Sequence, residues 1–130
     1  MTVKVRGIRG AITVAEDREI DIIEATYELI RTMVEENQVE ASDVASVWIT
    51  VTEELRSTFP AKALRRMEGW CYVPVMCSTE IPVPGSISNC IRVMMHVNTT
   101  QQQEEIRHIY LRDAIKLRPD LHLTLKNNMR

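Results

Sequence analysis

Cys90-Ile91-Arg92-Val93-Met94-Met95-His96-Val97 is an almost wholly apolar run with one arginine at its middle, and the other elements are placed around it. As a strand it alternates, so Ile91, Val93, Met95 and Val97 share one side while Cys90, Arg92, Met94 and His96 share the other. Arg92 is then expected to be buried among apolar neighbours. Guanidinium keeps its proton in a protein, so a buried arginine needs anionic partners or must face a cavity that receives an anion. Two outcomes stay open at this point: a carboxylate of this chain, or a ligand.

The frame around this strand is modest in size. The 130 residues are read as a single domain, 1–130, large enough to bury about two thirds of the unfolded surface. Hydrophobic content of 45% and charged content of 26% are those of a globular protein. With 16 Lys and Arg against 18 Asp and Glu, the net charge of -2 gives no overall attraction to nucleic acid or to an anionic membrane. Any anion site must be a local cluster. Cys71, Cys77 and Cys90 are odd in number and lack CxxC spacing, which argues against a disulfide framework or structural zinc and fits a reducing cytoplasm. Met1 to Gly10 has no long apolar core, and no window reaches the roughly 20 apolar residues of a membrane span, so neither export nor anchoring is expected.

Val3, Val5 and Ile8 with Gly7 and Gly10 predict a short, irregular first strand with Arg9 near its end. From about Ala15 to Glu36, the apolar positions Ile20, Ile23, Tyr27, Ile30 and Val34 recur at steps of three and four, the stripe of an amphipathic helix. Thr13 with Glu16, or alternatively Asp17, caps its start, and Asn37 closes its end. Ser46 to Thr52 is a second strand, with Val47, Ile49 and Val51 opposite Trp48 and Thr50. Pro60 opens a short helix that Gly69 stops, with Lys62, Arg65 and Arg66 on a basic flank. Trp70 to Cys77 is a third strand and Glu80 follows it in a loop; Pro82, Pro84 and Gly85 exclude regular ladder structure before the fourth strand. Gln101 to Glu105 is a solvated connection and Ile106 to Leu111 a fifth strand. Ala114, Ile115 and Leu117 make a helical turn ended by Pro119. The tail, about residues 122–130, is expected to be flexible. This order gives an α+β chain with a mixed five-stranded sheet, one long helix on one face, and short helices.

Catalytic sets of the familiar kinds are scarce. His96, His108 and His122 have no metal-ligand spacing, and no glycine-rich phosphate loop is present. Cys77 has no histidine tied to it, and a strand-end cysteine is more often a small apolar residue than a nucleophile. What stands out is cations at element ends: Arg9, the Lys62, Arg65 and Arg66 flank, Arg92 and Arg118, with the acid Glu80 before Arg92. Such a set suits a small polyanion, because arginine grips carboxylates in a bidentate fork. Arg66 and Arg112 are read instead as solvated surface charges.

Several stretches together resemble one family: Arg6-Gly7-Ile8-Arg9-Gly10-Ala11, Phe59-Pro60-Ala61-Lys62-Ala63, Gly69-Trp70, Tyr72-Val73-Pro74-Val75, Cys90 to Met95, Ile106-Arg107-His108 with Tyr110-Leu111, and Leu117-Arg118-Pro119-Asp120-Leu121. They are similar to the monofunctional, trimeric class of chorismate mutase, a pseudo-α/β barrel distinct from the all-helical class. The resemblance implies a homotrimer with sites in the clefts between neighbours, and rearrangement of chorismate to prephenate without cofactor or metal. It implies that Arg92 faces the ether oxygen, that Arg9 and Tyr110 hold the side-chain carboxylate, and that Glu80 meets the ring hydroxyl with Cys77 alongside. Phe59, Ala61, Val75 and Leu117 would line the pocket, with Lys62, Arg65 and Arg118 as cations near the mouth and tail. Met76, also placed against substrate, departs from the family pattern, where a threonine is expected; its backbone would make the contact. Two other readings stand beside this one. Small enamine/imine deaminases use the same trimeric fold with an arginine at a subunit cleft, although the Phe59 to Lys62 and Gly69-Trp70 motifs favour the mutase. A non-catalytic trimeric module binding a dicarboxylate is the second.

Overall fold

The computed structural model describes residues 2–117. Five strands, β1 (Lys4–Thr13), β2 (Val44–Val51), β3 (Val75–Thr79), β4 (Cys90–Thr99) and β5 (Ile109–Leu111), form one mixed sheet in the order β3-β2-β4-β1-β5. β4 lies antiparallel between β1 and β2, while β3 joins β2 and β5 joins β1 in parallel. The stretch around Arg92 is therefore the central strand, bonded on both sides. Its alternation is as expected: Ile91, Val93, Met95 and Val97 are buried, facing α1 (Glu19–Asn37), the one α-helix among the described residues, and Arg92, Met94 and His96 face away from it.

β1 runs longer than expected, ten residues, and Arg9 lies within it rather than near its end. Gly7 and Gly10 do not interrupt the ladder. Gly10 instead lets α1 approach, because a Cβ there would come within 2.5 Å of Met33 Sδ and 3.0 Å of Leu29 Cδ1. The helix is rotated from the predicted stripe. Its buried side is Ile22, Ala25, Thr26, Leu29, Ile30 and Met33, while Ile20 is exposed and Ile23, Tyr27 and Val34 are only partly covered. Both stripes have apolar residues at helical steps; the one with slimmer and more pliable side chains fits against the glycine-bearing strand. Neither expected N-cap operates. Arg18 stands at the cap position without a side-chain capping bond, and Asp17 instead accepts the Arg56 and Ser57 N–H groups. At the other end Gln38 takes the left-handed conformation, and Asn37 bonds the Met33 carbonyl and both backbone groups of Arg107.

Pro60–Arg66 is a 3₁₀ helix packed on α1, opened by Pro60 as predicted, but Met67 rather than Gly69 ends it. Trp70 to Pro74 is not strand: the Trp70 and Val73 N–H groups turn back to Met67 and Trp70, and the ladder begins only after the Pro74 carbonyl has accepted the Val47 N–H. β5 is shorter than expected for a similar reason. The Ile106 N–H is spent on Gln103 and the Arg107 N–H on Asn37. The final 3₁₀ segment, Arg112–Leu117, includes the predicted turn. Arg118, Pro119 and the tail expected over residues 122–130 lie outside the described residues.

Candidate functional site

On the sheet face turned away from α1, four strands bring charged and polar groups together. Arg9 comes from β1, Thr50 from β2, Arg92 from β4 and Tyr110 from β5, with Glu80 one residue past β3. They line a concavity of about 180 Å³ that also touches Trp48 and Met94. Strand pairing explains the convergence. Ala11 lies opposite both Arg92 and Tyr110, and Thr50 lies opposite both Arg92 and Ser78. Glu80 is held by its backbone N–H, which donates to Val51 O at 2.8 Å and so extends the β2–β3 ladder.

Arg92 is not buried in the chain; its side chain is 47% exposed, in contrast to the expectation from composition. Cover on the outer face lies over Ala11, Cys90 and Tyr110, where Ala114 and Leu117 pack, and does not extend to the Arg92 side chain. Of the two partners left open, the internal carboxylate is there: Arg92 Nη1 stands 3.4 Å from Glu80 Oε2. That is the long limit of a hydrogen bond, not a closed fork. The same oxygen accepts the Thr50 hydroxyl at 2.6 Å. Tyr110 is buried, in a small cluster with Ala11, Cys90 and Ala114 against which Leu117 packs. Burial pushes the Cys90 thiol up to about 11, so it is an uncharged filler beneath Arg92.

A second concavity, about 750 Å³, opens on the α1 side. Phe59, Ala61, Lys62, Arg65, Val75 and Cys77 line it. Val75 and Cys77 pair with Val47 and Ile49, whose side chains are buried on the helix side, so Cys77 points away from Arg92 and Glu80. The expectation of Cys77 beside Glu80 is therefore not met within one chain. Burial raises the Cys77 thiol above its ordinary value, with an Ala61 backbone hydrogen bond opposing, and this keeps it a thiol rather than a nucleophilic thiolate. Lys62 Nζ pairs with Glu19 Oε2 at 2.8 Å. Phe59 is 71% exposed, a large apolar side chain at the rim with no cover. Met76 pairs with Trp48, lies on the outer face at 61% exposure, and lines neither concavity. Leu117 belongs to a third hollow, with Thr13, Asn89 and Lys116.

Arg66 and Arg112 behave as surface charges with partners of their own, Glu24 and Glu28. Sequence reading passed over Thr50 and Trp48 as site residues. The alternation of β2 did put both on the face opposite Val47 and Ile49; what was missing was that β2 borders the arginine strand. Among the described residues no group of three or more His, Cys, Asp or Glu is placed to hold a metal ion, and no helix is long and apolar enough to cross a membrane.

Residues 5–121 match the family described as chorismate mutase type I. The chain is 48% identical over 120 residues to chorismate mutase AroH of Bacillus subtilis, covering 92% of this chain and 94% of that one. It is 50% identical over 118 residues to chorismate mutase AroH of Thermus thermophilus, covering 90% and 96%. The solved structure of a chorismate mutase from Clostridium thermocellum superposes with a TM-score of 0.81 at 46% identity, over 83% of this chain and 96% of that one.

Proposed function

This chain belongs to the type I chorismate mutase family, and from that premise we propose that it works as a homotrimer whose chorismate sites are each shared by two neighbouring copies. The reaction is the Claisen rearrangement of chorismate to prephenate, an isomerisation on the route to phenylalanine and tyrosine. Family membership sets aside the deaminase and the binding module. One C–O bond breaks and one C–C bond forms within a single molecule, so no co-reactant enters the balance.

The observation that carries the shared site is the division of the residue set by the sheet. Arg9, Glu80, Arg92 and Tyr110 lie on the outer face, and Phe59, Lys62, Arg65 and Cys77 lie on the helix side. A single chain cannot close both groups around one small dianion. A neighbour presenting its helix-side concavity to the outer-face group does so, and brings Cys77 of that copy to Glu80. Exposed Trp48, Met76 and Val5 on the outer face support a surface built to be covered. The three described free cysteines fit the cytoplasm.

In the joined site each group has a task. Chorismate reacts from the conformer that folds its enolpyruvyl chain over the ring, so both carboxylates must be held at once. Arg9 and Tyr110 take the side-chain carboxylate, while Lys62 and Arg65 supply cations at the mouth. Negative charge grows on the ether oxygen as its bond to carbon lengthens. Arg92, fixed on the central strand, meets that charge and stabilises the transition state more than the ground state. Glu80 accepts the ring hydroxyl.

The test has two arms. Purified trimer should deplete chorismate absorbance and yield prephenate with no added metal or nucleotide; unchanged absorbance would sink the activity. Arg92→Ala and the double variant Lys62→Ala/Arg65→Ala should each be weak alone, yet recover when unfolded and refolded together. Random mixing in a closed ring leaves roughly a quarter of the interfaces with both halves intact. No recovery would mean that the two groups do not share a site across copies.

A further inference from the structure

Thr50 carries no charge and is named by no motif, yet its hydroxyl makes the shortest bond to Glu80, 2.6 Å to Oε2. Arg92 Nη1 reaches that same oxygen at 3.4 Å. A carboxylate and a guanidinium at this range ordinarily close into a bidentate fork with N···O distances of about 2.7–2.9 Å. Here they do not. Thr50 stands between them by strand register, opposite Arg92 on β4 and opposite Ser78 on β3, two residues before Glu80. The Glu80 backbone is fixed to Val51 O, so only side-chain rotation decides where the carboxylate points.

We propose that Thr50 is a positioning residue that holds Glu80 off Arg92 and so keeps the Arg92 guanidinium open for the substrate's ether oxygen. A closed Glu80–Arg92 fork would occupy two of the N–H donors that the transition state needs and would neutralise the charge aimed at it. It would also turn both carboxylate oxygens away from the ring hydroxyl. The Thr50 bond takes one carboxylate oxygen with a neutral donor and leaves the second to the ligand. The inference rests on the placement of Arg92 and Glu80 at the reacting atoms.

Thr50→Val has the same shape and suits a strand, so the sheet is retained. It should lower kcat about tenfold, the scale of one hydrogen bond to a charged group, and change KM by less than about threefold. Thr50→Ser should recover most of that loss. In the background of Glu80→Ala, Thr50→Val should add almost nothing, since the carboxylate it restrains is gone. The proposal is overturned if Thr50→Val keeps wild-type kcat while Glu80→Ala is impaired, if the two losses multiply, or if serine does not rescue. Wild-type kcat in Glu80→Ala would overturn the placement of Glu80 itself, and the role of Thr50 with it.

Discussion

The backbone N–H of Arg9 donates to Nδ1 of His108 at 2.9 Å, which ties the strand carrying Arg9 to the start of the strand carrying Tyr110, the two residues proposed to hold the side-chain carboxylate. Gly10 pairs with Ile109 and Ala11 with Tyr110 immediately beyond this bond. The Arg9 and Tyr110 side chains are therefore set by one short piece of parallel ladder, and His108 fills its first rung with a side chain in place of a carbonyl. Loss of one such bond costs about 1 kcal/mol. His108→Leu should raise KM several-fold with a smaller effect on kcat. His108→Asn, whose Oδ1 stands near the Nδ1 position, should stay closer to wild type. Equal KM values in all three proteins would show that the rung does not set the spacing of Arg9 and Tyr110.

Arg92→Ala should preserve the fold, because the side chain is half-exposed and its strand is held on both sides. Turnover should nonetheless fall about 10²-fold or more, as for the loss of one preorganised donor at a developing oxyanion. Arg92→Lys should also be poor, since an ammonium cannot reproduce the guanidinium geometry. Single-turnover rates with circular dichroism as the folding control read this out. Near wild-type turnover in the lysine variant would show that charge alone suffices.

Acid should loosen the segment from Arg56 to Lys62 before the core. Backbone N–H groups of Arg56 and Ser57 hold Asp17 below its ordinary carboxylate value, and the Lys62 ammonium with the Thr58 hydroxyl does the same for Glu19. A depressed folded value means that the stabilisation is complete above the ordinary values of 3.8 and 4.5 and is lost as pH falls through the lower folded ones. The protection factors of the Arg56 and Ser57 amides, taken against the intrinsic exchange rate at each pH, should fall across that window. Asp17→Asn should produce part of the same fall at neutral pH. Amides that stay equally protected in acid and in the variant would show that Asp17 does not hold the segment.

The central strand and its two faces were legible because alternation is a local property of Cys90 to Val97. The long helix was legible for the same reason, but its phase was not. Ile20, Ile23 and Tyr27 satisfy the same steps of three and four as Ile22, Ala25 and Leu29, and only the partner strand distinguishes them. Trp70 to Val73 has strand-like composition, yet hydrogen bonds back to Met67 and Trp70 turn it before Pro74. At the site, residue chemistry singled out Arg9, Lys62, Arg65, Arg92 and Glu80, and resemblance added Tyr110, Phe59 and Ala61. Their division between two sides of the sheet follows from which strands are neighbours, a long-range fact that no local pattern in β2 or β3 contains. Thr50 was missed on the same account.

Gly10 offers a test of how tightly that sheet is held to its helix. It sits in the site's concavity on one face and beneath Leu29 and Met33 on the other. Alanine at this position would put Cβ 2.5 Å from Met33 Sδ, so the methionine must swing away or α1 must lift. The end of a methionine side chain moves easily, but Leu29 at 3.0 Å limits the room. Overpacking of this kind costs about 1–3 kcal/mol, and chemical denaturation should show a midpoint lowered accordingly with an unchanged slope. In a Met33→Ala background Gly10→Ala should cost less than it does in the wild type, because the methionine it would strike is gone. If the single variant were as stable as wild type, the close approach of α1 to β1 at Gly10 would not be the reason for glycine there.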